Sequence, residues 1–437
     1  MKKKEKVSVI TLGCSKNTVD SERLMRQLQL NSIALTDNPD SADTVIINTC
    51  GFIEAAKEES IDTILNAVAL KNEGKIKRVI VSGCLSERYK EDLQKEIPDV
   101  DVYFGTENYE GIVNELGGKL KYELLGERLL TTPSHTAYLK ISEGCDHPCS
   151  FCSIPLMRGN YKSKTIDELI KETEFLVKNN TKELVLIAQD TTDYGKDIYG
   201  KRNLDELLKK LSEIEGIEWI RLMYAYPSRF PTAVVKEIAG NPKICNYVDI
   251  PLQHISDDVL RSMRRGVTGA QTRALISDLR DKIPGITLRT TFIVGYPNET
   301  GKDFEDLCKF VEETKFDRIG TFTYSVEENT SSFILNDPVS QEIKEERKDI
   351  LMEIQKEISL KNNSEFVGKE LKILLEAVEG DFYIGRSYRD APDVDGEVLI
   401  PLKNNNLTIG NFYNTRVYDY NEYDLFADIS QTEGSQQ

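Results

Sequence analysis

The chain has 437 residues, enough for two or three domains, and its hydrophobic content of 39% and charged content of 30% are typical of a folded globular protein. Its 56 Lys and Arg against 73 Asp and Glu give a formal net charge of −17, which disfavours nucleic acid as a partner and favours a strongly basic protein. No apolar segment follows the amino-terminal lysines, and none reaches the roughly 18 uncharged residues of a membrane span, so we expect no signal peptide, no membrane contact and a cytoplasmic location.

Short apolar strands alternate with helical segments in the first quarter of the chain. The strand-like runs are rich in β-branched residues and begin at Val7, Thr44 and Arg78, with helix-like segments between them. Strands that are apolar throughout and separated by helices are typical of a parallel sheet buried on both faces. We predict an α/β domain with an open parallel sheet over residues 1–117 and a linker over 118–135.

The middle of the chain repeats this alternation. Strand candidates lie at 138–142, 184–190, 220–226, 247–253, 287–294 and 318–324. Six βα units in succession predict a partial TIM-like (βα)6 barrel over 136–362, with its chemistry at the carboxyl ends of the strands. Beyond a charged helix, short strands without a helical pattern predict a small antiparallel β-barrel over 363–430. The last residues, 431–437, are expected to be disordered.

Three cysteines form a C-x3-C-x2-C pattern, Cys145, Cys149 and Cys152, in the loop after the first strand of the predicted barrel. Thiolates hold iron–sulphur clusters, and three of them leave one iron of a four-iron cluster open for another ligand. Zinc is the alternative, but structural zinc needs four ligands, and His147 as the fourth would strain so short a loop. The spacing favours a cluster, and Phe151 is expected to shield it from water.

Cys14, Cys50 and Cys84 each stand at the carboxyl end of a predicted strand of the first domain. Such ends converge on one crevice in an open parallel sheet, so the three thiols are expected to meet without a local C-x-x-C motif. Each cysteine has an adjacent glycine, which allows close backbone approach. Coincidence is the alternative, because free cysteine is often buried, but the arrangement favours a second cluster that again has one open iron.

Polar residues and glycines also end several strands of the predicted barrel. Gln189, Gln253 and Gly295 occupy such positions and suit a pocket for a polar small molecule. His254 lies on the same side of the barrel, where we favour a hydrogen-bonded structural role over a functional one.

The remaining cysteines and the basic residues after the cysteine loop suggest no chemistry. Cys308 belongs to an apolar helix stripe and Cys245 precedes a buried strand, so both are interpreted as core residues. Arg158, Lys162 and Lys164 are interpreted as a solvated face.

With these motifs in place, the chain resembles the methylthiotransferase family of radical S-adenosylmethionine enzymes over nearly its whole length. The resemblance implies two [4Fe–4S] clusters, with S-adenosylmethionine on the open iron of the first and the transferred sulphur on the second, and no catalytic residue beyond the cluster ligands. The implied ligands are Cys145, Cys149 and Cys152 for the first cluster and Cys14, Cys50 and Cys84 for the second. From their positions in the cysteine loop and at the strand ends, we predict that Phe151, Gln189, Gln253 and Gly295 bind S-adenosylmethionine. The carboxyl-terminal barrel looks like the family's TRAM domain.

Three stretches indicate a branch of that family. Residues 11–22, 48–53 and 386–396 are similar to the branch that modifies the β-carbon of an aspartate in ribosomal small-subunit protein twelve. In particular, Lys16 precedes Asn17 where the tRNA-modifying branch usually has methionine. The resemblance therefore implies a basic ribosomal protein as substrate, with an electron-donor protein as a further partner.

The charge of the last predicted barrel supports this branch independently. Residues 365–428 contain 13 Asp or Glu and 6 Lys or Arg. A barrel that grips RNA should be basic, whereas an acidic one is complementary to a basic ribosomal protein. Two alternatives remain open: a tRNA adenosine methylthiotransferase, and a non-catalytic metal-cluster protein that docks on ribosomes.

Overall fold

The computed structural model describes residues 5–402 and 406–430, so the tail expected to be disordered at 431–437 lies outside the described residues. Three main sheets follow one another along the chain: a five-stranded sheet, a six-stranded sheet and a closed five-stranded barrel. No helix within the described residues is long and apolar enough to cross a membrane. The division of the chain after residues 117, 135 and 362 stays a prediction.

The first sheet is open and parallel, as the sequence predicts. Its elements are β1 (Lys6–Thr11), α1 (Ser15–Leu30), β2 (Ala34–Leu35), β3 (Thr44–Thr49), α2 (Glu54–Asn72), β4 (Arg78–Gly83), α3 (Cys84–Glu96), β5 (Val102–Tyr103) and α4 (Tyr109–Glu115). The strand order is β2-β1-β3-β4-β5, and every pairing is parallel. Val45 and Ile47 pack into the core on one face and Ile46 into the core on the other, which explains why β3 is apolar throughout. We refer to β1–β5 as the amino-terminal sheet.

The six-stranded sheet forms the predicted partial barrel. This part of the chain contains β6 (Thr136–Lys140), β7 (Ser142–Glu143), α5 (Ile154–Arg158), β8 (Lys162–Ser163), α6 (Ile166–Lys178), β9 (Glu183–Ile187), α7 (Lys196–Tyr199), α8 (Leu204–Ser212), β10 (Trp219–Leu222), α9 (Thr232–Gly240), β11 (Ile244–Asp249), α10 (Asp257–Ser262), α11 (Gly269–Lys282), β12 (Thr287–Val294), α12 (Gly301–Thr314), β13 (Arg318–Thr323) and α13 (Gln341–Ser364). The short strands β7 and β8 pair with each other outside the six-stranded sheet. The parallel order β13-β12-β11-β10-β9-β6 is not closed, which leaves an open, TIM-like wall, here named the central barrel.

The two faces of the central barrel pack against different partners. Side chains such as Leu186 point outward and form one large core with the surrounding helices. Tyr138 and Tyr247 belong to a second core on the opposite, inner face, together with Val19 of α1 and Leu374 of the last barrel. The inner face is therefore covered by elements from both other parts of the chain.

The carboxyl-terminal barrel is closed by five strands. They are β14 (Glu370–Glu379), β15 (Phe382–Ser387), β16 (Val398–Pro401), β17 (Phe412–Tyr420) and β18 (Leu425–Ile429). Four of the five pairings are antiparallel, as the sequence predicts. The pairing of β16 with β18 is parallel, because β18 folds back antiparallel to β17 and so runs in the same direction as β16.

Buried ion pairs hold the carboxyl-terminal barrel to the central one. Glu183 of β9 accepts hydrogen bonds from Arg221 Nε at 2.9 Å and from Arg386 Nη2 of β15 at 2.5 Å. Arg386 also donates to Glu376 of β14 at 2.5 Å, and His135 lies 3.6 Å from the same carboxylate. Burial raises the pKa of Glu376, but the nearby His135 and the hydrogen bond and charge of Arg386 outweigh it and lower that pKa from 4.5 to about 2.

The lowered pKa of Glu376 gives the folded protein a defined pH dependence. Because the carboxylate is more acidic in the folded than in the unfolded chain, its stabilisation is complete above pH 4.5 and is lost as the pH falls towards 2. Glu376→Gln should therefore lower the free energy of unfolding by about 3 kcal/mol at pH 7 and flatten its decline below pH 4.5. Urea unfolding across this pH range measures both effects. The exposed Glu379 on the same strand provides the control variant Glu379→Gln, and parallel pH profiles for wild type and Glu376→Gln would contradict the assignment.

Candidate active site between the amino-terminal sheet and the central barrel

The loop between β7 and α5 gathers the three cysteines of the C-x3-C-x2-C pattern. The Cys145 N–H donates to Gly159 O and the Cys152 N–H to Cys149 O, both at 3.2 Å, which curls the loop on itself. Burial, together with the charge of Cys149, raises the pKa of Cys145 and that of Cys152 to about 12. The three thiols are therefore close enough to interact with one another.

Cations and aromatic rings surround this loop. Arg265 donates from Nη1 to Cys149 Sγ at 3.3 Å, and the Tyr226 hydroxyl lies 3.7 Å from the same sulphur. Phe151 packs against the apolar cluster formed by Val259, Met263, Tyr296 and Tyr324. A nearby guanidinium favours the thiolate form that metals require.

The structure also brings together the three cysteines of the amino-terminal sheet. Cys14 caps the start of α1, Cys50 follows β3 directly, and Cys84 begins α3 at the end of β4. A Cβ atom on Gly13 would lie 2.8 Å from Cys50 Sγ, so only glycine allows this approach. Burial raises the pKa of Cys84 to about 12, with the charges of Cys14 and Cys50 adding to it. Three convergent thiols with glycine-lined backbone fit a cluster that leaves one iron open.

Arg158 connects the two sets of cysteines, and its interpretation as part of a solvated face is wrong. Its side chain is buried, its Nε donates to Cys84 Sγ at 3.2 Å and its Nη2 donates to Asn17 Oδ1. Lys162 is exposed as expected, whereas Lys164 is half-buried against Glu172. Because Arg158 ends the short helix that follows Cys152, one side chain spans the space between the two candidate cluster sites.

A buried charge cluster surrounds Arg158. Asp20 of α1 accepts from Arg158 Nη1 at 2.9 Å, from Tyr109 Oη at 2.9 Å and from Lys140 Nζ. Glu143 accepts from Arg158 at 2.9 Å and from Lys140 at 2.6 Å. Burial raises the pKa of Asp20, but the charges of Lys140 and Arg158 outweigh it and hold that pKa well below its usual range. These ion pairs fix α1 against the mouth of the central barrel.

Two glutamines at the barrel mouth carry unpaired oxygens. Gln189 donates from Nε2 to Glu143 at 2.8 Å, and Gln253 is held by backbone hydrogen bonds to Thr291 and Ile293 of β12. The Oε1 atoms of both glutamines are buried and have no hydrogen-bond partner among the described residues. Buried acceptors are normally satisfied, so these two oxygens fit a ligand that offers N–H or O–H groups.

Gly295 follows β12 at the same mouth. Its φ of +73° favours glycine, and a Cβ atom there would meet the side chain of Lys344 in α13. Its N–H donates to Glu299 Oε2 at 2.8 Å. This packing explains why residue 295 is glycine.

Both histidines near the site contact neighbouring groups, although His254 Nε2 has no hydrogen-bond partner among the described residues. His147 Nε2 lies 2.6 Å from Asp190 Oδ2, and its ring stacks on Tyr226 at 3.7 Å. His254 is fully buried, accepts the Ser256 N–H at 3.0 Å through Nδ1 and lies 3.6 Å from Glu299. His147 therefore orients the cysteine loop, and His254 has the structural role that the sequence favours.

The other two cysteines lie away from both sets. Cys245 is buried in the core on the inner face of the central barrel, and Cys308 packs against the core formed with the helices. Six of the eight cysteines are thus gathered into two groups of three, at the carboxyl ends of two parallel sheets that face each other.

Three family models match successive parts of the chain. The model of uncharacterized protein family UPF0004 matches residues 6–105, the model of the radical SAM superfamily matches 139–311, and the model of the TRAM domain matches 367–429. Among solved structures, the radical S-adenosylmethionine methyltransferase TsrM from Kitasatospora setae covers 73% of this chain and 73% of its own at 13% identity, with a TM-score of 0.54. This likeness supports the fold of the central barrel.

Curated relatives match over almost their full lengths. A protein of Cytophaga hutchinsonii named ribosomal protein uS12 methylthiotransferase RimO is 52% identical, and the alignment covers 98% of both chains. A protein of Flavobacterium johnsoniae with the same name is 53% identical with the same coverage. The chain therefore belongs to the family of ribosomal protein uS12 methylthiotransferases named RimO.

Proposed function

We propose that this protein attaches a methylthio group to the β-carbon of an aspartate in ribosomal protein uS12. The names of the relatives support the reaction and the substrate. The observation that carries the proposal is the pair of facing three-cysteine groups, which are joined through the hydrogen bond from Arg158 Nε to Cys84 Sγ. A transfer that needs two clusters requires two such sites within reach of one substrate.

Each group of cysteines is proposed to hold one [4Fe–4S] cluster. The ligands of the first are Cys145, Cys149 and Cys152, and the ligands of the second are Cys14, Cys50 and Cys84. When bound, the first cluster supplies the electron that cleaves S-adenosylmethionine, and the second supplies the site of the sulphur to be transferred. The donor sets fit, because each consists of three convergent thiols that leave one iron open.

The surrounding residues prepare these sites. Arg265 places a positive charge 3.3 Å from Cys149 Sγ, where it complements the charge of a metal-bound thiolate. Phe151 covers the loop on its apolar side and excludes water. The unpaired oxygens of Gln189 and Gln253, together with the backbone at Gly295, are proposed to orient S-adenosylmethionine.

The acidic carboxyl-terminal barrel is proposed to attract the substrate. With 13 acidic and 6 basic residues between 365 and 428, it complements a basic ribosomal protein and repels RNA phosphates. An electron-donor protein is proposed as a second partner, because reductive cleavage of S-adenosylmethionine needs an electron from outside the chain.

The decisive experiment supplies the reconstituted protein with S-adenosylmethionine labelled on its methyl group, in the absence of oxygen. Small ribosomal subunits and bulk tRNA are offered together, and mass spectrometry locates the label. We expect a methylthio group on an aspartate of uS12. Label in tRNA adenosine would retain the chemistry and overturn the substrate, and the absence of label from both would overturn the proposed function.

A further inference from the structure

Lys16 is a buried cation at the candidate active site. It lies two residues after Cys14 in α1, and only 7% of its surface is exposed. Its Nζ lies 3.0 Å from the centroid of the Tyr224 ring. Tyr224 follows β10 at the carboxyl end of the central barrel, so the ammonium group of the amino-terminal part is inserted into the barrel mouth.

Other buried cations are neutralised by carboxylates. Ten Lys and Arg side chains are buried within residues 5–402 and 406–430, and eight of them form an ion pair. Of the remaining two, Arg265 contacts Cys149 Sγ, which is proposed to be a metal-bound thiolate. Lys16 has neither a carboxylate nor a hydrogen-bond acceptor in that part of the chain, and its contact with an aromatic ring does not neutralise the charge.

The carboxylates of neighbouring elements are already engaged. Asp20, one turn further along α1, is paired with Lys140 and Arg158. Asp249 of β11 accepts the Tyr224 N–H at 3.1 Å and pairs with Arg289 at 3.0 Å. A lysine whose side chain is largely buried and whose ammonium group has no counter-charge is unfavourable in general. The position of Lys16 therefore favours the binding of an anion that is not part of this chain.

We infer that Lys16 binds the side-chain carboxylate of the substrate aspartate and so determines which residue is modified. This inference rests on the proposed function and deepens it. The carboxylate carbon is bonded directly to the β-carbon, so anchoring the carboxylate beside Cys14 holds the carbon that must receive sulphur near the second cysteine group. A charge pair of this kind also distinguishes aspartate from the isosteric asparagine.

The test compares two forms of uS12 with two forms of the enzyme. Free uS12, with its target aspartate or with asparagine in that place, is titrated onto the reconstituted wild type and onto Lys16→Met. The wild type should prefer the aspartate form by about tenfold or more, since a hydrogen bond between charged groups is being measured. Lys16→Met should bind both forms equally. The exposed Lys178 on α6 provides the matched control, because Lys178→Met should keep the preference.

S-adenosylmethionine also carries a carboxylate. Its binding affinity shows whether Lys16 contacts that carboxylate or the carboxylate of the substrate. If Lys16 binds the substrate, the affinity of Lys16→Met for S-adenosylmethionine equals that of the wild type. A loss of that affinity with an unchanged preference for aspartate would overturn the inference and assign the lysine to the carboxylate of S-adenosylmethionine. Failure of the wild type to bind either form of uS12 would overturn the proposed function as well.

Stability without substrate separates a binding role from a structural one. Because the ammonium group has no counter-charge, Lys16→Met and Lys16→Gln should unfold at the same or higher urea concentration than the wild type. A structural cation–π anchor would give the opposite result, with both variants less stable than the wild type. Tyr224→Leu should weaken the preference for aspartate, whereas Tyr224→Phe, which keeps the aromatic face, should preserve it.

Discussion

Cys149→Ala abolishes cleavage of S-adenosylmethionine, whereas Cys50→Ala leaves cleavage intact and stops sulphur transfer; this is the expected result with the largest effect on activity. Both changes remove one proposed ligand from a group of three, and the two groups have different tasks. Each variant should therefore lose about half of the iron of the reconstituted protein, since two four-iron clusters are proposed. Iron analysis, 5′-deoxyadenosine release and methylthiolated uS12 are measured on the same samples.

Cys308→Ala is the matched control for these variants. Cys308 is also a partly buried cysteine, but it packs against the core between helices and sheet. Its replacement should leave the iron content and both activities at wild-type levels. Cleavage of S-adenosylmethionine by Cys149→Ala, or sulphur transfer by Cys50→Ala, would refute the proposed division of tasks between the two groups of cysteines.

Arg158→Met should lower the free energy of unfolding by about 3 kcal/mol, because it removes one of the two cations that pair with two buried carboxylates. Asp20 and Glu143 each accept a 2.9 Å hydrogen bond from Arg158 Nη1, and Lys140 alone remains to balance both. The same change removes the donor to Cys84 Sγ. We therefore expect weaker retention of iron by the amino-terminal cysteines in addition to the loss of stability.

An exposed arginine provides the control for the effect of Arg158→Met on the free energy of unfolding. Arg261 pairs with Asp258 at 2.7 Å, but both side chains are about three-quarters exposed. Arg261→Met should change the free energy of unfolding by less than about 1 kcal/mol. Urea unfolding of the metal-free proteins compares the two variants, and equal effects would show that the buried cluster around Arg158 does not hold the sheets together.

The strands and the cysteine groups could be predicted because their signals are local. Buried β-branched runs define β1, β3 and β4 to within two residues, and strand ends converge in any parallel sheet, which brought Cys14, Cys50 and Cys84 together. The parallel pairing of β16 with β18 could not be anticipated, since neither strand carries a pattern that specifies its neighbour.

The contacts between the amino-terminal sheet and the central barrel could not be predicted from the sequence, for a different reason. Arg158 and Asp20 are 138 residues apart in the chain, and nothing near either residue specifies the other. In a local window, Arg158 ends a short helix and precedes a glycine, which is typical of a solvated residue. Lys16 likewise has the sequence pattern of an ordinary helical lysine, because its contact with the Tyr224 ring depends on a residue far away in the chain.

The contact of Arg158 with Cys84 has a consequence for the way in which the protein acquires its proposed second cluster. Cys50 and Cys84 are 8% and 6% exposed, and Arg158 approaches Cys84 from the opposite sheet. The third proposed ligand, Cys14, is exposed, so on this ligand assignment iron and sulphide enter from the side of Cys14. Loss and replacement of a cluster in the finished enzyme then take place through this one opening, because Arg158 covers Cys84 on the other side.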